Sequence, residues 1–414
     1  MKSHLPKLVA AACASLLLPL APPAQELPPQ DVLVGRPLGD AVETLSARVQ
    51  ANDTDQAARF ALGMAQALHT VERTAGALYE HGLMQTGVSQ NLQIFGLPVP
   101  PNPSPKPTSA EDVDRILADL SAGLAEAAKT LEGVTDPSVN LPVKVGLIRV
   151  DLNGAATGGE MSAWELMAEI GGIGRGDQEF RQAAEQLAIG FDLGDAHWLR
   201  GYCNLIGATA DIMAAFDKRE LLDRAGHLIF ANPRSSYPFL RGGQRVFEVS
   251  PDVDIVDAIA FIHLLNFPVR DANLLKSARQ KLLTTIACSE ESWRAILAET
   301  DDDAEWIPNP HQQTVVPGIR VERQVIDAWL AFVADGRDVL EGRRLVPFWR
   351  GTGGRGVNLK RVFDEPQPFD LVLWVQGTAA APYLEQGPLA DANTLRQLER
   401  LLGGRVFLFA VWVN

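Results

Sequence analysis

Cysteine is scarce in this 414-residue chain, with 3 in all, at positions 13, 203 and 288. That excludes a disulfide-dense small-domain scaffold; Cys203 and Cys288 can be one cross-link or two buried thiols, and sequence alone carries no Cα separation to choose between them. No Gly-x-Ser-x-Gly elbow, no His-Glu-x-x-His pair and no Walker loop occurs. The common serine-hydrolase, zincin and P-loop chemistries lose their spacing signatures. Basic residues are outnumbered, 37 Lys and Arg against 51 Asp and Glu, for a formal charge of −14. Such a field repels phosphate backbones, and nucleic acid is excluded as a partner on that ground.

Long apolar runs are also missing beyond the amino terminus. Ile255 to Phe267 comes nearest and is interrupted by His263 and Asn266, well short of the about 20 residues a membrane-spanning helix needs. The first residues differ: Lys2 and Lys7 precede Leu8 to Ala21, an apolar run broken by Pro19 and followed by small residues. This layout predicts a signal peptide over residues 1–24, cleaved after Ala24, and a periplasmic or secreted, soluble mature chain with no transmembrane segment. Cleavage would remove two lysines and no acid, shifting the charge by two, from −14 to −16.

What the chain has in quantity is helical periodicity. From Thr54 to His81 the residues Phe60, Met64, Leu68, Val71, Ala75 and Leu78 recur at steps of three and four, with Gly82 as the stop. Leu38 to Val49 is amphipathic and predicts the other half of a hairpin, so residues 31–96 read as an N-terminal helical hairpin. Six prolines between Leu97 and Thr108 rule out helix and predict an extended linker over 97–108. Ser109, followed by Glu111 and Asp112, is a helix start, with Gly133 as its stop. Further helices are expected from about Ser162, and through Asp195 to Phe216, Asp252 to Asn266, Asp271 to Ala287, Ser289 to Glu299 and Arg320 to Leu340. Strand patterns appear over Val143 to Leu152 and Arg405 to Val413; Phe369 to Val375 fits either state. The fold class expected is mainly α, a multi-helix array with minor β elements, with residues 109–414 as the main domain.

Three groups of polar residues merit attention. The segment Asp192 to Asn204 opens a helix with an apolar stripe (Trp198, Tyr202, Leu205, Thr209, Ile212, Phe216) expected in the core. A second stripe carries His197, Gly201, Asn204, Ala208, Asp211 and Ala215, polar groups alternating with small residues that would let a neighbouring helix approach. His197, Asp195 and Arg200 are the catalytic candidates there, with Asp192 or Asp195 orienting the imidazole; a structural hydrogen-bond network and helix cap explain the same residues. The loop Glu299 to His311 holds Asp301, Asp303, Glu305 and His311, whose oxygen and imidazole donors suit a divalent cation or paired acid–base work. No cofactor is identified by this pattern; a divalent cation is admitted by it, not required. Arg350, Arg355 and Lys360 lie in a stretch with Gly351, Gly353, Gly354 and Gly356 and no acid between Glu341 and Asp364, which suits anion binding unless the cations pair with acids elsewhere.

Two lesser patterns complete the reading. Asp151, Asn153 and Gly154 open like a calcium loop, but Ala155, Ala156 and Ser162 replace its later ligands, and a turn closing a strand accounts for them equally. His263, on an almost wholly apolar helix, is expected in the core. The runs Gly194 to Cys203 and Leu373 to Glu385 resemble those of an uncharacterised family of exported bacterial proteins. The resemblance spans most of the mature chain and implies export, with no activity or site attached. With the catalytic signatures missing, the expected function is a non-enzymatic binding or interaction protein that contacts a protein or envelope component. The alternative is a hydrolase-like or metal-dependent enzyme using an Asp/His cluster.

Overall fold

The computed structural model describes residues 26–401 apart from 93, 155–159, 171–176, 242–247, 251–252, 303, 316–320, 351–353, 392, 394–395 and 397–399. The expected signal peptide and the strand expected at Arg405 to Val413 lie outside the described residues. The helices are α1 (Pro29–Gly35), α2 (Leu38–Ala51), α3 (Gln56–Glu80), α4 (Ala110–Glu132), α5 (Ala163–Ile170), α6 (Gln178–Gln186), α7 (Leu193–Ala214), α8 (Arg219–Ala225), α9 (Ile255–Leu264), α10 (Ala272–Ile296), α11 (Arg323–Leu340), α12 (Leu359–Asp364) and α13 (Leu371–Gln376). Strands are two or three residues long and pair antiparallel in small sheets: β1 (Leu141–Val143) with β4 (Ile189–Phe191), β2 (Arg149–Asp151) with β3 (Glu160–Ser162), β5 (Glu248–Ser250) with β6 (Val253–Asp254), β7 (Asn266–Phe267) with β10 (Phe369–Asp370), and β9 (Arg355–Val357) between β8 (Val346–Pro347) and β11 (Leu384–Gln386). The mainly helical class is as expected. No helix among the described residues is long and apolar enough to cross a membrane.

Helix α3 forms where the period placed it, and its inner face, including Phe60, Ala61 and Leu78, is fully buried. Each large apolar side chain so covered contributes roughly 1.5–3 kcal/mol. Ser109 caps α4 in a reciprocal box with Asp112. The same core continues from α2 and α3 through α4 into α7, including Leu45, Leu117 and Ala210. The proline segment is extended but packs as a strap: Asn102 Nδ2 donates to Tyr79 O at 2.8 Å, Lys106 N–H to Glu80 O at 2.9 Å and Thr108 N–H to Asn232 O at 2.9 Å. It holds the hairpin to the rest of the chain.

Three expectations are corrected. The run Val143 to Leu152 is not one strand: a 3₁₀ turn at Val145–Leu147 splits it, because the chain crosses α6 there, and a Cβ on Gly146 would meet Ala184 O at 2.2 Å. The segments Asp271 to Ala287 and Ser289 to Glu299 fuse into α10, whose 25 residues contain neither glycine nor proline to interrupt it. His263 is exposed, as are Ile255, Val256, Ile259 and Ile262, since only one face of α9 is covered. Periodicity cannot say which face of an all-apolar helix receives a neighbour.

Helix α7 is central, and its stripe of small and polar residues admits a neighbouring helix, as its spacing implies. The polar and small stripe is the deeper one: Gly201, Ala208, Asp211 and Ala215 are buried against α10 and α4. Residues without bulk let α10 approach, and a Cβ on Gly201 would meet Cys288 Cβ at 3.2 Å. Asp211 accepts from Ser121 at 2.5 Å, Ser277 at 2.7 Å and Lys281 at 2.8 Å, tying three helices through one carboxylate. Trp198, Tyr202, Ile212 and Phe216 are half-buried instead and Leu205 is exposed. Cys203 and Cys288 face each other across this seam as two buried thiols.

Candidate metal centre

The pairing of β1 with β4 sets Leu141 opposite Phe191 and delivers the next residue, Asp192, to the N-terminus of α7. Asp192 accepts from the Asp195 amide, and Asp195 accepts in return from the Asp192 amide, each at 3.2 Å. This reciprocal cap satisfies two of the helix's unpaired N–H groups. It also holds two carboxylates against the positive end of a 22-residue helix dipole. Asp195 is 4% exposed, Asp192 half-buried.

The end of α10 and the loop after it supply the opposite wall. Asn309 donates its amide to Ile296 O at 3.1 Å and Glu299 O at 3.3 Å, capping carbonyls the helix leaves free. Its backbone N–H donates to Gln312 Oε1 at 2.7 Å. Gln312 Nε2 then reaches Glu299 Oε2 and Glu305 Oε1, both at 3.2 Å, and Asp301 O at 2.9 Å. One amide thereby orients two carboxylates. Just before Glu305 the backbone turns through Ala304 at φ 65°, a left-handed conformation that costs a residue with a Cβ about 1 kcal/mol. That turn brings Glu305 inward, where it is 3% exposed.

Asp192, Glu299 and Glu305 each offer an oxygen, and the three lie within 4.8 Å of one another. They edge a cavity of about 350 Å³ whose wall also includes Asn140, Gly190 and Asp301. No basic side chain among the described residues forms an ion pair with Asp192, Asp195 or Glu299. Burial, followed by Asp192 as a like charge, pushes the Glu299 carboxyl up to about 8. Burial likewise raises Asp192, and it raises Asp195 well above the ordinary carboxylate range, the Asp192 charge adding to it. A pocket of convergent carboxylates that ionise reluctantly either holds protons or receives a cation.

The sequence candidates are divided by this geometry. Of the metal set, Glu305 is in the cluster and Asp301 lines the cavity; His311 is exposed, with its backbone N–H on Asn309 Oδ1 at 2.9 Å, and Asp303 lies outside the described residues. Among the catalytic candidates, Asp195 stands behind Asp192 at the helix start. His197 instead approaches Glu291 at 3.5 Å, and Arg200 bonds Glu132 at 2.6 Å and approaches Glu291 at 3.7 Å. Burial lowers the His197 pKa, opposed by Glu291. His197, Asp195 and Arg200 therefore do not form one constellation.

The basic stretch is largely committed elsewhere. Arg343 pairs with Asp338 and Glu341, Arg344 with Asp335, Arg361 with Glu365 and Glu385, and Lys360 with Asp364 at 3.0 Å. Arg350 and Arg355 are exposed; residues 351–353 of the glycine loop lie outside the described residues. The N-terminus of α12 is closed by its own cap, Asn358 Oδ1 accepting from Arg361 N–H at 3.3 Å. Asp151 serves the turn after β2, its Oδ1 accepting from the Asn153 and Gly154 amides at 3.0 Å.

Glu299 is the member that sequence reading passed over, as the last acid of a helix. The available signal was the Asn309 and Gln312 pair downstream, amide side chains placed to tie a loop to that helix end. Comparison with protein-family models, with curated proteins and with solved structures gives no match.

Proposed function

We propose that this chain is an exported, non-enzymatic binding protein of the cell envelope that holds a hard divalent cation between Asp192, Glu299 and Glu305. The observation that carries the reading is the spacing of their oxygens, within 4.8 Å. That bound accommodates oxygens about 2.3–2.6 Å from a calcium ion and those about 2.0–2.1 Å from a magnesium ion alike. An all-oxygen donor set excludes the softer preferences of zinc or copper sites. Burial first, and the Asp192 charge after it, raise Glu299, and a bound cation favours its ionised form against both. Export rests on the amino-terminal layout and on the family resemblance.

The test is melting of chelator-stripped protein at pH 7.5 against calcium and magnesium. Calcium at 100 times its dissociation constant should add about 2.7 kcal/mol of stability, with magnesium weaker, and Glu299→Gln together with Asp192→Asn should abolish the response. Unchanged melting with calcium sinks the proposal.

One observation favours a second reading. Asp192 and Glu299 present neighbouring carboxyl groups to one cavity, with burial raising both, and paired carboxyl groups are what acid–base hydrolysis of a glycan uses. That enzyme would work without added cation and lose activity in Glu299→Gln.

A further inference from the structure

A second cavity, also about 350 Å³, lies between α4, α7, α8 and α9 and shares no described lining residue with the carboxylate site. Its wall is almost entirely hydrocarbon. At one end Phe216, Phe267 and Phe369 stand together: the rings of Phe267 and Phe369 stack at 12° with centroids 6.0 Å apart, and Phe216 is 6.0 Å from Phe369. The short β7–β10 pair holds two of these rings in place. Across the cavity Phe230 meets Phe95 edge-on at 5.9 Å.

Three polar side chains belong to the described residues of the wall, and each is engaged within the chain. Asn91 donates to Gly87 O at 2.6 Å, Thr209 donates to Leu205 O at 3.0 Å, and the Lys218 ammonium pairs with Asp114. The one charge is thus cancelled, and the amide and hydroxyl already have acceptors. An ordered water needs two to four polar partners, so this space holds water poorly. A hydroxyl or a charge carried in by a ligand would give up its own hydration for no matching group. Hydrocarbon gives up nothing and leaves water as it enters.

Volume sets the size of the occupant. Protein interiors are packed like organic crystals, and a space of about 350 Å³ filled to a density of about 0.74 takes roughly 260 Å³ of ligand, the bulk of about 15 methylene groups. The cavity lies within the range of about 300–1,000 Å³ that small-molecule sites occupy.

We propose that this cavity binds a neutral, hydrocarbon-like molecule of about 15 carbon atoms, the number that fills it to interior density, seated against Phe216, Phe267 and Phe369. The site stands or falls without the carboxylate cluster.

Titration of the full chain with N-phenyl-1-naphthylamine, a neutral probe of matching bulk that fluoresces in apolar surroundings, tests this directly. Fluorescence should rise and saturate at one probe per chain. Bibenzyl should displace the probe, and 4,4′-dihydroxybibenzyl, the same skeleton with two hydroxyls, should do so about tenfold less well or worse, since its hydroxyls meet no free partner. Ile212→Trp fills the cavity from α7 and should remove binding, while Ile259→Ser, on the exposed apolar face of α9, should leave it intact. Absence of a fluorescence rise with the wild type overturns the proposal without reference to any variant. Equal displacement by the two bibenzyls overturns the neutral class of ligand. Loss of binding in Ile259→Ser with retention in Ile212→Trp overturns the location, moving the probe to the outer face of α9.

Discussion

A Cβ placed on Gly194 would stand 2.6 Å from Cγ1 of Ile296, so the first turn of α7 and the last residue of α10 touch through a missing methyl group. The same Cβ would lie 3.1 Å from Asp192 Oδ1 and 3.4 Å from Glu299 Oε1. Gly194→Ala must therefore part the two helix ends that carry the carboxylates. Overpacking of this kind costs about 1–3 kcal/mol. Urea unfolding should show that loss, and the calcium-dependent rise in melting temperature should shrink with it. Gly35→Ala is the control, since nothing lies within 4 Å of its added Cβ; it should stay within about 0.5 kcal/mol of wild type.

The raised Glu299 makes stability depend on pH in a defined direction. Its carboxyl titrates at about 8 in the folded chain against an ordinary value of 4.5. Between those values the folded state binds the extra proton, so this contribution is complete below about pH 4.5 and is lost as pH rises through about 8. Asp192 and Asp195 shift the same way. His81, His197 and His227 are lowered by burial and work in the opposite sense, but only below their ordinary value of 6.5. Above pH 7 the histidines no longer contribute, and the two buried thiols, raised from 9, add only a smaller fall of the same sign toward pH 8.5. Cation-free protein should melt lower at pH 8.5 than at pH 7, Glu299→Gln should flatten that slope, and saturating calcium should remove it. A wild-type slope equal to that of Glu299→Gln would show that Glu299 is not the group titrating.

Much of the scaffold could be read from the chain, and the reasons for the failures are particular. Helices α3 and α4 were legible because one stripe of each is apolar and the other polar, and because Ser109 and Asp112 mark an end chemically. Helix α9 was misjudged because its apolar residues surround it, leaving no asymmetry to report a covered face. In α7 the small residues among polar ones imply an approaching helix, and α10 meets Gly201 and Ala208 there; what the pattern does not give is that this face lies deeper than the aromatic one. The carboxylate site was half legible. Glu305 and Asp301 stood out as a cluster in one loop, whereas Asp192 and Glu299 join them only because β4 and α10 end at the same place. Local spacing does not encode such a meeting.

Cys203 and Cys288 illustrate a question that only packing answers. Both are buried in the α7–α10 seam, and desolvation pushes their thiols up to about 12 and about 11. A thiol at such values presents almost no thiolate at neutral pH, and thiolate is the reactive form. Native protein carrying Cys13→Ser should therefore react slowly with Ellman's reagent, and the two remaining thiols should titrate at once in denaturant. A fast native reaction, or fewer than two thiols after unfolding, would contradict this arrangement.

The Asp211 network offers the most direct probe of how α4, α7 and α10 are held. Its carboxylate is buried and takes three donors, while Lys281 also donates to Ser121 at 2.6 Å. Replacing Asp211 by Leu, or Lys281 by Met, breaks the pair from one side, and Asp211→Leu leaves an ammonium and two hydroxyls without their acceptor; such a loss costs about 3–5 kcal/mol. Lys281 keeps some solvent contact, 18% of its side chain, so the loss should fall at the lower end of that range. Replacing both partners, Asp211→Leu with Lys281→Met, removes the stranded charge and should recover most of the stability, because an apolar pair needs no desolvation. Urea denaturation of the two single variants and the double variant closes the cycle. If the double variant is as unstable as the sum of the singles, the pair does not act as a unit, and the seam is held by the packing at Gly201 and Ala208 alone.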